Sequence, residues 1–326
     1  MSATVTDSRT PKPLTNRDRD RLEAIAKGTY TPPPKAKFEL ENDALFGGLS
    51  GLKLPIAEFR VTPGLTLAST YAHVMAPFVM AFARPERPTA PHPGPWASLA
   101  GCGFDITAEV RLEAGCAPLG FDRLNTLWFV AALLRLRLAE PVQMSVLADR
   151  PLSVVSTAVE VSNLLPVELD RTRPLTAPAK QAGEDDLAWI SQHIMAADRL
   201  MTQPVFNRAF QTLDRAVAIE NPGAGIVIAW AAIETLLRPG PQRITERVSR
   251  GLAAYLHPPG PDRDRAFGEI VKSYEARGGI AHAGAQPEAK QFQTAFRLAR
   301  AAMGTAIELG ELPNIELLLE RWRTRA

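Results

Sequence analysis

The rhythm of apolar and polar positions changes roughly halfway along the chain. Before residue 180 the clearest signal is alternation, the period of a half-buried strand. Residues 104–112 alternate throughout, and shorter runs at 56–61, 65–67, 142–147 and 154–161 predict further strands. Residues 121–138 are instead apolar almost all round, which predicts a buried helix. From residue 184 onward the strand signals vanish and helix signals repeat. Glu184, Asp185 and Asp186 suit the positive end of a helix dipole, and that helix should run to about residue 201. Pro204 can open a second helix, to about residue 220. Asn221 before Pro222 pairs an N-cap residue with proline at the first helical position. That third helix should stop at Pro239, Gly240 and Pro241. Further helices are expected at 244–256, 262–277 and 288–309, the second ended by Gly278 and Gly279. Pro313 precedes a short tail helix.

The pattern therefore predicts an α+β N-terminal domain followed by an all-α helical bundle. Residues 1–40 read as a flexible N-terminal arm, with Pro11, Pro13 and Pro32 to Pro34 around one short helix at 17–27. Residues 41–180 form the α+β domain, of unknown role, and 184–326 the bundle. Residues 171–183 have linker composition and mark the boundary.

Composition narrows the function classes only a little. Lys and Arg total 37 against 35 Asp and Glu, a net charge of +2, and 46% of residues are hydrophobic. These values exclude a polybasic tail protein, a fibrous protein and a fully disordered one. The 29 arginines against 8 lysines read as codon bias, since the chain is also rich in Ala and Pro. Cys102 and Cys116 are too few for a disulfide framework or a four-cysteine zinc site. His73 and His92 add no ligand spacing to them, so neither metal nor cofactor is expected. Residues 1–20 show no apolar signal core. The apolar run at 127–134 is far short of the ~20 residues a spanning helix needs. A soluble, cytoplasmic protein without membrane contact is expected.

Two places carry candidate chemistry. Glu234 is the only charge within residues 224–237, in a helix apolar on every face. A carboxylate there cannot stay unpaired cheaply, so it should meet a cation or several N–H groups. A purely structural ion pair is one reading of it. The second place is Arg277 and His282, five residues apart. Arginine can hold a phosphate or a pentacoordinate phosphorane, and histidine can move a proton near neutral pH. Together they suffice for metal-free RNA cleavage. Arg87 with His92 and Arg250 with His257 have similar spacing, but in a proline-rich loop and on an ordinary amphipathic helix. Trp96, in that same loop region, reads as a loop anchor or a base-stacking residue. No phosphate-binding loop, dinucleotide fingerprint or nucleophile elbow is present.

The surroundings of Arg277 and His282 set them apart. Ala232, Ile233, Glu234, Leu236 and Leu237 make a small-apolar-acid-Leu-Leu core. A second helix follows with Arg247, Arg250 and small apolar residues. Then come Arg263 and Arg265, and Tyr274, Arg277, Ile280 and His282 in order. Residues 224–284 thus resemble the HEPN superfamily, in particular its Apea-like branch. The sequence departs from the branch pattern at Gly278, where a polar residue usually follows the arginine, and at Ala283, where glycine usually follows the histidine.

The resemblance implies a helical bundle that dimerises and a metal-independent endoribonuclease, serving as a toxin or in antiviral defence or stress. On it, Arg277 steadies the phosphate, His282 is the general base or acid, and Glu234 is the buried acid that orients them. Arg243, Arg247, Arg250 and Lys272 are cations that can guide RNA. RNA and a second copy of the chain are the implied partners, with a trigger or antitoxin at the N-terminal domain. The alternative is a non-catalytic HEPN module for RNA or protein binding, in which the same residues only complete a polar network.

Overall fold

The computed structural model describes residues 43–75, 79–82, 95–99, 103–155, 164–168, 179–219, 221–283 and 287–323. At 74–75, 79–82, 95–99, 103–104 and 281–283 it describes the backbone alone. The expected helix at 17–27 lies outside these residues.

The strands are β1 (Leu45–Ser50), β2 (Leu52–Lys53), β3 (Glu58–Thr62), β4 (Leu65–Met75), β5 (Val79–Phe82), β6 (Pro95–Leu99), β7 (Gly103–Leu112), β8 (Gln143–Ala148), β9 (Leu164–Pro166) and β10 (Lys180–Gln181). Six of them form an antiparallel sheet in the order β3-β4-β7-β1-β8-β9. β5 and β6 make a separate hairpin, and β10 pairs in parallel with β2. Trp96 accordingly lies in a strand rather than in the expected loop.

Because β7 and β8 both run antiparallel to β1, they run parallel to each other. The helix α1 (Arg123–Leu138) makes the crossover between them. Asp122 caps it, accepting the Asn125 backbone N–H at 2.8 Å. Its apolar sides bury Leu127, Phe129, Val130, Leu133 and Leu134. The opposite face of the sheet holds a small cluster of Ala72, Ile106, Val146, Ala148 and Leu152. Leu152 belongs to a short helix, α2 (Leu152–Val155), where alternation had predicted the start of a strand. The rest of that expected strand, 156–161, lies outside the described residues.

Among the described residues seven helices follow: α3 (Glu184–Met201), α4 (Pro204–Ala216), α5 (Pro222–Leu237), α6 (Ile244–Leu256), α7 (Pro261–Ala283), α8 (Ala289–Leu309) and α9 (Ile315–Arg323). The chain is thus an α+β sheet region followed by an all-helical one, as the hydrophobic pattern predicts. Asn221 opens α5 by accepting the N–H groups of Gly223 and Ala224 at 2.9 and 3.1 Å. This helix packs against α4, α6, α7 and α8, which explains its lack of a polar face. Gly225 lets α8 close in: a Cβ there would sit 2.5 Å from the Phe292 ring.

One boundary differs in a way that bears on the site. Gly278 and Gly279 do not end α7, which continues to Ala283. Both positions 277 and 282 therefore lie on one continuous helix, about 140° apart around its axis.

Sheet and bundle share a core. The Phe129 ring of α1 meets the Phe210 ring of α4 at 5.6 Å. Ser191 of α3 donates to the Val61 carbonyl at 2.8 Å. Beside them Arg135 of α1, only 1% exposed, donates to Asp214 of α4 at 2.6 Å and to Glu168 at 3.1 Å. Arg135 also donates to the Val142 carbonyl at 2.9 Å. A buried guanidinium of this kind is tolerable only because its donors are matched in this way.

Candidate functional site

Helices α5 and α7 run antiparallel across each other, with Trp230 level with Ser273 and Gly223 level with Ile280. This crossing sets the site. Trp230 is fully buried; its indole N–H donates to the Ser273 hydroxyl at 3.3 Å, and its ring meets Tyr274 edge-on at 4.9 Å. Tyr274 is thereby fixed, and its hydroxyl donates to Glu234 Oε1 at 2.7 Å. One turn on, Arg277 Nη2 stands 3.5 Å from the same oxygen. The guanidinium also lies 5.6 Å from the centre of the Tyr274 ring, within cation–π range.

Glu234 thus meets both a hydroxyl donor and a cation. It is not sealed from water, however. The side chains of Glu234 and Arg277 are 25% and 24% exposed, so the pair lines the surface of the bundle rather than its centre. Tyr274 is the better buried of the three. Burial, followed by the hydrogen bond and the charge of Glu234, pushes its hydroxyl up to about 12, against the opposing influence of Arg277. The phenol therefore stays protonated at neutral pH and acts as a fixed donor to Glu234, not as a proton source.

The guanidinium is only partly used. Arg277 Nε is buried and has no hydrogen-bond partner among the described residues. Glu234 holds Nη2 in place, and the side chain is 24% exposed, so what an incoming oxyanion can reach is the outer part of the guanidinium, not the buried Nε. His282 lies further along α7, where only the backbone is described, so its ring is not part of this geometry.

The four cations expected to guide RNA have different situations. Arg247 bonds the Pro239 carbonyl and Glu316. Arg250 pairs with Glu246 at 2.7 Å. Arg243, at 82% exposure, stands 3.9 Å from the same glutamate. Lys272 lies on α7, beside a groove between α7 and α8. Among the described residues none of the four bonds to Glu234, Tyr274 or Arg277. Arg263, prominent in the motif, is buried, donates to the Arg321 carbonyl at 3.0 Å and stacks on Trp322, a packing role.

Tyr274 is the site residue to which sequence reasoning gave no role. Its signal was its position three residues before Arg277, which puts both on one side of a helix.

Among the described residues, no group of three or more His, Cys, Asp or Glu side chains is placed to hold a metal ion. No helix among them is long and apolar enough to cross a membrane. No protein-family model, curated protein or solved structure matches the chain.

Proposed function

We propose that the chain is a metal-independent RNA endonuclease of HEPN type, acting as a homodimer in defence or stress. The observation that carries this reading is the Arg277 guanidinium, anchored by Glu234 through Nη2 and 24% exposed at the bundle surface. An arginine held this way is preorganised for a phosphorane, whose charge develops only in the transition state. His282 on the same helix is the base. It takes the proton of the 2′-OH, the 2′ oxygen attacks phosphorus, and the bond to the 5′ oxygen breaks. The 5′ oxygen gains a proton, and the other fragment keeps a 2′,3′-cyclic phosphate. Positions 277 and 282 face different ways around α7. Two copies packed across this helix would bring an arginine of one to a histidine of the other.

The test is cleavage of labelled tRNA and mRNA fragments in EDTA, wild type beside Arg277→Ala and His282→Ala. Cutting by wild type alone, leaving cyclic phosphate ends, is expected. Equal cutting by all three proteins would end the reading.

One observation favours the alternative, a non-catalytic binding module. The Glu234, Tyr274 and Arg277 cluster closes on itself within one chain, as a structural network does. In that case Arg277→Ala changes no RNA and lowers stability only modestly, because Glu234 loses an ion pair but keeps Tyr274 and its access to water.

A further inference from the structure

A groove of about 250 Å³ opens between α7 and α8, one residue round from Arg277. Positions 269, 272, 273 and 276 of α7 line one wall, the i, i+3, i+4, i+7 set of a single helix face. Lys290, Gln291 and Thr294 of α8 line the other.

Most of its polar groups are donors. Two acids also line it, and one of them is paired. Glu269 is held by Arg297 at 2.6 Å. Glu288 stands at the N-cap of α8, where its backbone carbonyl, not its side chain, accepts the Gln291 N–H at 3.0 Å. Gln291 Oε1 accepts the Glu288 backbone N–H at 2.9 Å, which leaves the amide nitrogen of Gln291 with its hydrogens to offer. Ser273 already accepts from Trp230, so its hydroxyl hydrogen is what remains. Lys272 and Lys290 have no ion-pair partner among the described residues. What the groove presents is therefore two ammonium groups, an amide and hydroxyls, all able to donate, against the one carboxylate of Glu288. Its volume lies below the 300–1,000 Å³ of roughly drug-sized sites, so its occupant is small.

We infer that this groove binds the phosphate of a single nucleotide unit, gripped between Lys272 and Lys290. Resting on the nuclease reading, it holds the RNA phosphate next to the one that Arg277 meets. Ser273 and Ala276 line the groove, and Arg277 follows directly on the same helix, so the strand need cross only about one turn of α7. A free nucleotide carries the same chemistry and would enter the same way.

The experiment uses the full chain and two probes, 5′-AMP and a fluorescein-labelled 2′-O-methyl oligoribonucleotide, which cannot be cleaved through its 2′ position. Binding is measured by calorimetry and anisotropy for wild type and for Lys272→Gln with Lys290→Gln. Both lysines are exposed, so the fold should survive. Arg208→Gln with Arg215→Gln, on α4, removes the same charge elsewhere. The groove variant should bind at least tenfold more weakly, with a salt dependence shallower by about one to two ions. The α4 variant should bind like wild type. Loss of oligonucleotide binding supports the strand as occupant, and loss confined to AMP supports a free nucleotide. Equal weakening by both variants, or no binding of either probe, overturns the site. Cleavage in EDTA is scored separately. Binding lost in the groove variant, with no cleavage by any protein, removes the nuclease reading and leaves the phosphate site standing.

Discussion

Tyr274 and Arg277 meet on a single oxygen of Glu234, the phenol at 2.7 Å and the guanidinium at 3.5 Å. The shorter contact is the stronger and the better shielded. Tyr274 therefore does more than Arg277 to hold the carboxylate, and Arg277 is correspondingly free to engage something else.

Tyr274→Phe tests that division. It removes one hydrogen bond to a charged acceptor, a loss of about 1.5–3 kcal/mol. Urea unfolding at pH 7 should show it, while a loss near zero would mean that water replaces the hydroxyl without cost.

The same residue gives a pH dependence with a definite sign. The folded protein holds the phenol proton up to about 12, above the ordinary value of 10.0. The stability this contributes is complete below pH 10 and is lost as pH rises from there through 12. Wild type should therefore lose stability over that window more steeply than Tyr274→Phe. Parallel curves would mean that the phenol ionises alike in both states. Tyr255, raised by burial and by Glu311 and Glu308, is present in both proteins and cancels in the comparison.

Asp214→Ala should be among the most damaging single changes. It leaves the Arg135 guanidinium buried with part of its partnering gone, a cost of about 3–5 kcal/mol. Thermal unfolding of the full chain should show one transition at a lower temperature. An unchanged midpoint would mean that Glu168 and the Val142 carbonyl suffice for Arg135.

Gly278→Ala should act in the opposite direction. The position is helical, and a Cβ there would meet nothing within 4 Å. Alanine should stabilise the protein by about 0.5–1 kcal/mol. Gly225→Ala is the contrasting case, because its Cβ would press on the Phe292 ring and cost about 1–3 kcal/mol. Denaturant titration of the two variants side by side checks both signs.

These glycines also show what the sequence does and does not carry. Asn221 and Pro222 announce the start of α5 because capping is local chemistry, complete within four residues. Glu234 likewise announces its need for partners, since an acid alone in an apolar helix has few alternatives. That Tyr274 would be the nearer partner depends on how α5 crosses α7, which no spacing within either helix encodes. Gly278 and Gly279 read as a stop because glycine weakens a helix by roughly 1 kcal/mol. Here α7 runs on through them, and the packing of Ile270, Tyr274 and Ile280 outweighs that local preference.

β1 is the reverse case. Its sequence, Leu-Phe-Gly-Gly-Leu-Ser, has no β-branched residue, and its two glycines weaken strand propensity. Yet it lies in the middle of the sheet, between β7 and β8. A Cβ at Gly48 would come within 3 Å of Leu152, Ile106 and Val146. The glycines that hide the strand from sequence reasoning are what let its neighbours close over it.

The Arg135 network makes the two regions one inheritance. A bundle severed at Gly183 would carry Asp214 without its guanidinium and Phe210 without Phe129, so it is no transferable cassette that recombination could attach to another sensor. A ligand on the sheet would reach the helices as a change of shared packing, not as the swing of a tethered module.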